Sequence, residues 1–112
     1  TFGHAIEKLI HMPHGVCVYY GLKMIFAFFN EPNYKVLEEF VSKFKLEFPE
    51  LGKLNIDDIF GYLEQDKKRK NLHEVDLILV DDIGSPYAKG FDIKNLKSII
   101  MGHKNYENFF RK

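Results

Sequence analysis

Three histidines, His4, His11 and His14, fall close together near the start of this 112-residue chain. Imidazole is the commonest metal ligand and the usual proton carrier near neutral pH, so metal binding and acid–base work are the chemistries to weigh. Spacing narrows them. On one helix His4 and His11 would stand about 10 Å apart along the axis, too far to share an ion. His11 and His14 have a usable spacing only on an unbroken helix, and Pro13 breaks it. His14 differs, because it occupies a Pro13-His14-Gly15 step at the mouth of an apolar segment and can project from a fixed backbone into a cleft. From residues alone it still reads as a solvent-facing cap, since a zinc site needs three protein ligands or more and only one is nameable.

The second feature is the run Asp66-Lys67-Lys68-Arg69-Lys70. Clustered ammonium groups suit a phosphate or a carboxylate. A charge run at a helix end is more often a solvated face that offsets the helix dipole, and that is its reading when taken alone. Cys17 lies inside an apolar helix with no histidine placed to activate it, so it reads as a small core residue. Phe26, Phe28 and Phe29 read as core, and no glycine-rich phosphate loop is present.

Six short elements must position these groups ahead of the chain's closing helices. Residues 4–10 form a helix with Ala5, Ile6, Leu9 and Ile10 as its apolar stripe, ended by Pro13. Residues 15–30 form a second helix, apolar nearly all round, which predicts a buried central element. Glu31-Pro32-Asn33 reads as a turn, and residues 34–48 as an amphipathic helix on Leu37, Phe40, Val41 and Phe44. A break at Pro49-Glu50-Leu51-Gly52 precedes an N-cap at Asn55 and a helix running toward Lys70. Val75, Leu77, Ile78, Leu79 and Val80 suit a strand within residues 71–82. After a Gly84-Ser85-Pro86 turn, residues 87–92 return as the second strand of a ribbon. Residues 93–101 and 104–110 close the chain as short helices. The expected fold is therefore mainly α, a multi-helix bundle with one small antiparallel β-ribbon.

Composition excludes several classes of partner. Sixteen basic and sixteen acidic residues cancel, and only Arg69 and Arg111 are arginines, so the footprint of a nucleic-acid binder is missing. The longest apolar run is interrupted by Lys23 and is too short to span a bilayer. No signal peptide opens the chain, and a single cysteine allows no internal disulfide. A neutral, soluble, cytoplasmic domain is expected. The start at Thr1 without a methionine reads as a piece of something larger.

Taken together the motifs carry a resemblance. Thr1-Phe2-Gly3-His4-Ala5-Ile6-Glu7, then Pro13-His14-Gly15, then an apolar helix with Gly21 and Met24, resembles the central signature of 3-dehydroquinate synthase and its sugar-phosphate cyclase relatives. Asp66-Lys67-Lys68, Leu77-Ile78-Leu79-Val80 and Ile83-Gly84-Ser85-Pro86-Tyr87 recur in that family's order. Two departures border the signature: Val16 stands where the family usually has a glutamate, and the segment from His4 to His14 is a little shorter.

The resemblance implies that residues 1–112 are one helical domain, the C-terminal metal- and substrate-binding half of a two-domain enzyme whose NAD-binding domain is absent from this chain. It implies a metal-ligating role for His14, a catalytic role for His4 in substrate contact and proton movement, and a grip on the substrate's anionic end by Lys67 or Lys68. The cofactors implied for the full-length enzyme are NAD and a divalent metal, zinc or cobalt. The signature's first histidine would immediately precede Thr1, and a glutamate ligand belongs to the other domain. This chain alone is thus expected to retain neither cofactor and to be inactive. The implied reaction converts a heptulosonate phosphate to 3-dehydroquinate with loss of phosphate, in the shikimate pathway. Another sugar-phosphate cyclase, such as a 2-deoxy-scyllo-inosose synthase-like enzyme, a zinc polyol dehydrogenase and a non-catalytic helical module stay open beside it. The implied partner is a small sugar phosphate, with no nucleic acid and no membrane, and the full-length enzyme is compatible with a homodimer.

Overall fold

The structure, a computed structural model, describes residues 1–49, 55–81 and 84–110. Most of the Pro49–Gly52 break, Asp82 and the Ile83 of the resemblance lie outside the described residues. The elements in chain order are α1 (Phe2–Ile10), α2 (His14–Phe29), α3 (Glu31–Lys43), α4 (Ile56–Arg69), β1 (Glu74–Val80), β2 (Pro86–Asp92), α5 (Ile93–Met101) and a single 3-10 turn (Tyr106–Asn108). The mainly helical fold with one small antiparallel ribbon is as the sequence predicts.

Local chemistry sets the boundaries. The first helix ends at His11, which takes the left-handed conformation (φ 50°) just before Pro13. Side chains cap three later helices: Asn30 accepts from the Asn33 amide at 3.2 Å, Asn55 from Asp58 at 2.8 Å, and Asp92 from Asn95 at 3.2 Å. The Asn30 cap corrects one expectation. Glu31-Pro32-Asn33 is no turn but the first turn of α3, where a proline has no amide that needs a partner. That helix also ends at Lys43, short of Phe48, as Lys45 takes a positive φ of 51°. At the C-terminus the expected helix over 104–110 is reduced to the 3-10 turn.

The core joins every element except the ribbon's outer face. Phe2, Ala5 and Ile6 of α1 pack with Met24 and Ala27 of α2, Ile59, Phe60 and Leu63 of α4, and Leu96 and Ile100 of α5. In β1 the side chains of Val75, Leu77 and Leu79 point inward and their neighbours outward, the alternation of a half-buried strand. The ribbon pairs Glu74 opposite Asp92 through Val80 opposite Pro86. Phe109 and Phe110 close the core from the chain's end, and Phe109 meets Phe28 at 5.4 Å between ring centres. Among the described residues no helix is long and apolar enough to cross a membrane.

α2 departs from expectation in one respect. Its apolar surroundings predict complete burial, yet Val18 and Leu22 are exposed on one side. That bare side faces the pocket described next.

Candidate metal and substrate site

The site is built on the corner between α1 and α2. The two helices cross where each has a glycine. A methyl group on Gly21 would stand 2.7 Å from the Gly3 nitrogen, and one on Gly3 would stand 2.9 Å from the Cys17 carbonyl oxygen. Neither position tolerates a side chain without movement, so both glycines are there for close backbone approach. Beneath the crossing Cys17 is buried, its thiol directed at the Met12 carbonyl 3.6 Å away. Burial, with a smaller push from the Glu7 charge, raises the thiol above its ordinary range. Cys17 is a core residue, as the sequence predicts.

The crossing opens on one side into a pocket of about 310 Å³. His4 and Glu7 of α1 and His14 of α2 line it, with Val18, Leu22 and Ile78 as an apolar wall. His4 sits near the start of α1, with its ring 6.0 Å from that of Tyr62 on α4. His14 is the first residue of α2, and its side chain is 77% exposed. Glu7 Oε2 lies 2.8 Å from His14 Nδ1. That hydrogen bond holds the Glu7 carboxyl below the ordinary carboxylate range against a smaller opposing effect of burial. Val16, where the resembling family has glutamate, packs partly buried against the core.

The structure thus brings His4 and His14 to one pocket, although residues alone gave His14 only a capping role. It adds Glu7, which the spacing of the histidines does not point to. One signal for Glu7 was available: it stands one helical turn beyond His4 and on the same face. Its contact with His14 crosses the break at Pro13 and depends on the angle between two helices, which spacing does not give. Among the described residues no three His, Cys, Asp or Glu side chains converge to hold a metal ion. The donors present fit a share of a metal site rather than a whole one: His14 has one ring nitrogen engaged by a carboxylate and the ring open to the pocket.

The lysines lie elsewhere. Lys67 and Lys68 line a second pocket of about 440 Å³, with His73, Asp92 and Lys94. The run is divided by its partners. Arg69 donates to Asp66 at 3.0 Å and the Lys70 ammonium lies 3.3 Å from the same carboxylate. Burial works to raise the Asp66 carboxyl, but hydrogen bonds from Lys70 and Arg69 carry it below its ordinary range. Lys67 is half-buried and Lys68 exposed.

No family model matches the chain, and no solved structure matches it. Curated proteins do. A 3-dehydroquinate synthase from Staphylococcus epidermidis is 28% identical over 111 residues, covering 95% of this chain and 31% of that protein. One from Staphylococcus haemolyticus is 29% identical over 91 residues, covering 77% of this chain and 25% of its own length. One from Lysinibacillus sphaericus is 27% identical over 108 residues, covering 88% of this chain and 30% of its own. The chain therefore spans at most about a third of the length of these relatives. Over most of its own length it is similar to 3-dehydroquinate synthases, the family that its motifs resemble.

Proposed function

We propose that this chain is the C-terminal, metal- and substrate-binding part of a 3-dehydroquinate synthase-like enzyme, a cytoplasmic NAD- and metal-dependent carbon–oxygen lyase. Its substrate is a heptulosonate phosphate, converted to 3-dehydroquinate with loss of phosphate. The observation that carries this reading is the shared pocket: His4 and His14, on different helices, open into one cavity at the glycine crossing. The relatives of the same name, aligned over most of the chain, support it.

Each residue has a part on this reading. His14 holds the metal through the ring nitrogen that Glu7 leaves free. His4, exposed in the pocket and backed by Tyr62, contacts the substrate and takes or returns a proton at its ring. The ammonium of Lys67 or Lys68, side by side in the second pocket, grips the substrate's anionic end. A bound zinc or cobalt ion supplies Lewis acidity to a substrate hydroxyl. NAD and the remaining metal ligands belong to the portion of the enzyme that this chain does not span.

Turnover of 3-deoxy-arabino-heptulosonate 7-phosphate by the full-length protein, supplied with NAD and zinc, tests the proposal. Formation of 3-dehydroquinate supports it. A well-folded full-length protein that leaves this substrate untouched overturns it. Val16 favours one second reading, another sugar-phosphate cyclase, which predicts turnover of a different sugar phosphate under the same conditions.

A further inference from the structure

We propose that Glu7 is a positioning residue for His14: its carboxylate accepts a hydrogen bond from Nδ1–H and leaves Nε2 as the bare nitrogen of the ring. The purpose of this arrangement rests on reading His14 as a metal ligand, whereas the arrangement itself rests on geometry alone. A carboxylate only accepts, so at 2.8 Å the proton between Glu7 Oε2 and His14 Nδ1 belongs to the imidazole. In a neutral ring the other nitrogen is then unprotonated, and that is the form which coordinates a metal ion. Histidines that ligate metals commonly hand their second nitrogen to a carboxylate in this way, which fixes tautomer and orientation together.

Glu7 is suited to the task because its own helix is anchored. Phe2, Ala5 and Ile6 are buried on α1, so the backbone that carries Glu7 is held by the core. His14 is not so held. Its side chain is 77% exposed at the very start of α2, where core packing does not orient the ring. The left-handed turn at His11 and the following Pro13 bring the two residues together across the break. Without Glu7 the exposed ring is free to turn and to take the Nε2–H tautomer that predominates for histidine in water.

The test is the protonation pattern of the His14 ring, read from long-range proton–nitrogen correlations on the full-length protein labelled with nitrogen-15 in its histidines. The pattern is read at the alkaline end of a pH series, where the ring nitrogen shifts no longer change with pH. The expected result is a protonated Nδ1 and a bare Nε2, with Glu7→Ala reverting His14 to predominant Nε2–H while the backbone amide spectrum keeps its dispersion. A wild-type ring protonated at Nε2 overturns the proposal, with no variant needed. So does a folded Glu7→Ala chain in which Nδ1 stays protonated. A zinc titration of the full-length protein separates this from the metal reading. Glu7→Ala is expected to weaken zinc binding by roughly 10–100-fold. If the tautomer is as stated and zinc affinity is unmoved by both Glu7→Ala and His14→Ala, the metal reading fails and the hold of Glu7 on the ring stands.

Discussion

Gly21 of α2 rests against the backbone of Gly3 in α1, so closely that a methyl group on Gly21 would stand 2.7 Å from the Gly3 nitrogen and 2.9 Å from its Cα. Backbone cannot rotate away as a side chain does, so Gly21→Ala must separate the helices. Overpacking of this kind costs about 1–3 kcal/mol. At roughly 4–8 °C per kcal/mol for a small domain, the melting temperature should fall visibly. Gly61→Ala is the control, since nothing lies within 4 Å of its missing methyl in the middle of α4. Relief of helical glycine there should stabilise by up to about 1 kcal/mol. Opposite shifts in thermal melts are the expected outcome, and a Gly21→Ala chain as stable as wild type contradicts the crossing.

The lysine run gives an asymmetric expectation. If Lys67 or Lys68 grips an anionic group of the substrate, removing that ammonium deletes a charge-assisted hydrogen bond of roughly 1.5–3 kcal/mol. That is about a tenfold loss or more in substrate affinity or turnover of the full-length protein. One of Lys67→Ala and Lys68→Ala should show that loss, and Lys70→Ala should stay near normal because Lys70 is already committed to Asp66 at 3.3 Å. Stability should barely move in any of the three, because an exposed charge at a helix end contributes about 0.3–1 kcal/mol. Equal, small kinetic effects at all three positions would mean that the run is a solvated face.

Glu31 at the start of α3 meets Lys104 near the end of the chain at 2.6 Å. The hydrogen bond to Lys104 holds the Glu31 carboxyl below its ordinary range against a smaller effect of burial. A depressed carboxyl pKa contributes stability that is fully present above the unfolded value, about 4.3, and is lost as pH falls through the folded one. Glu31→Gln should therefore lower the melting temperature at neutral pH and flatten its decline on acidification below about pH 4.3. Melts across that range check this. An unchanged acid decline in Glu31→Gln would show that the pair contributes nothing.

Much of this was legible in the sequence, and the exceptions share a cause. α5 runs over residues 93–101 as its apolar spacing predicts, and the β-ribbon follows from the branched run at 75–80 and the turn after it. α3 starts earlier than its apolar spacing predicts, because a proline at the second position of a helix has the signature of a breaker in sequence and only the Asn30 cap makes it a helix start. The apolar composition of α2 predicts burial all round, because composition does not carry which side the neighbours leave open, and Val18 and Leu22 lie on that side. The histidines were legible only through the motif. Their meeting depends on the helix crossing at Gly3 and Gly21, and the tie from Glu7 to His14 spans a proline break that no periodicity describes.

The central claim is that His14 holds the metal in the pocket it shares with His4. Metal content of the purified full-length protein, measured for wild type, His14→Ala and His4→Ala, tests it most directly. The account predicts about one zinc or cobalt ion per chain in wild type and in His4→Ala, and near-background metal in His14→Ala, with helical content unchanged in all three. His4→Ala should keep its metal and lose turnover by roughly a hundredfold or more, as the loss of a proton-transfer group does. A His14→Ala protein that keeps its full metal content and its turnover would contradict the account.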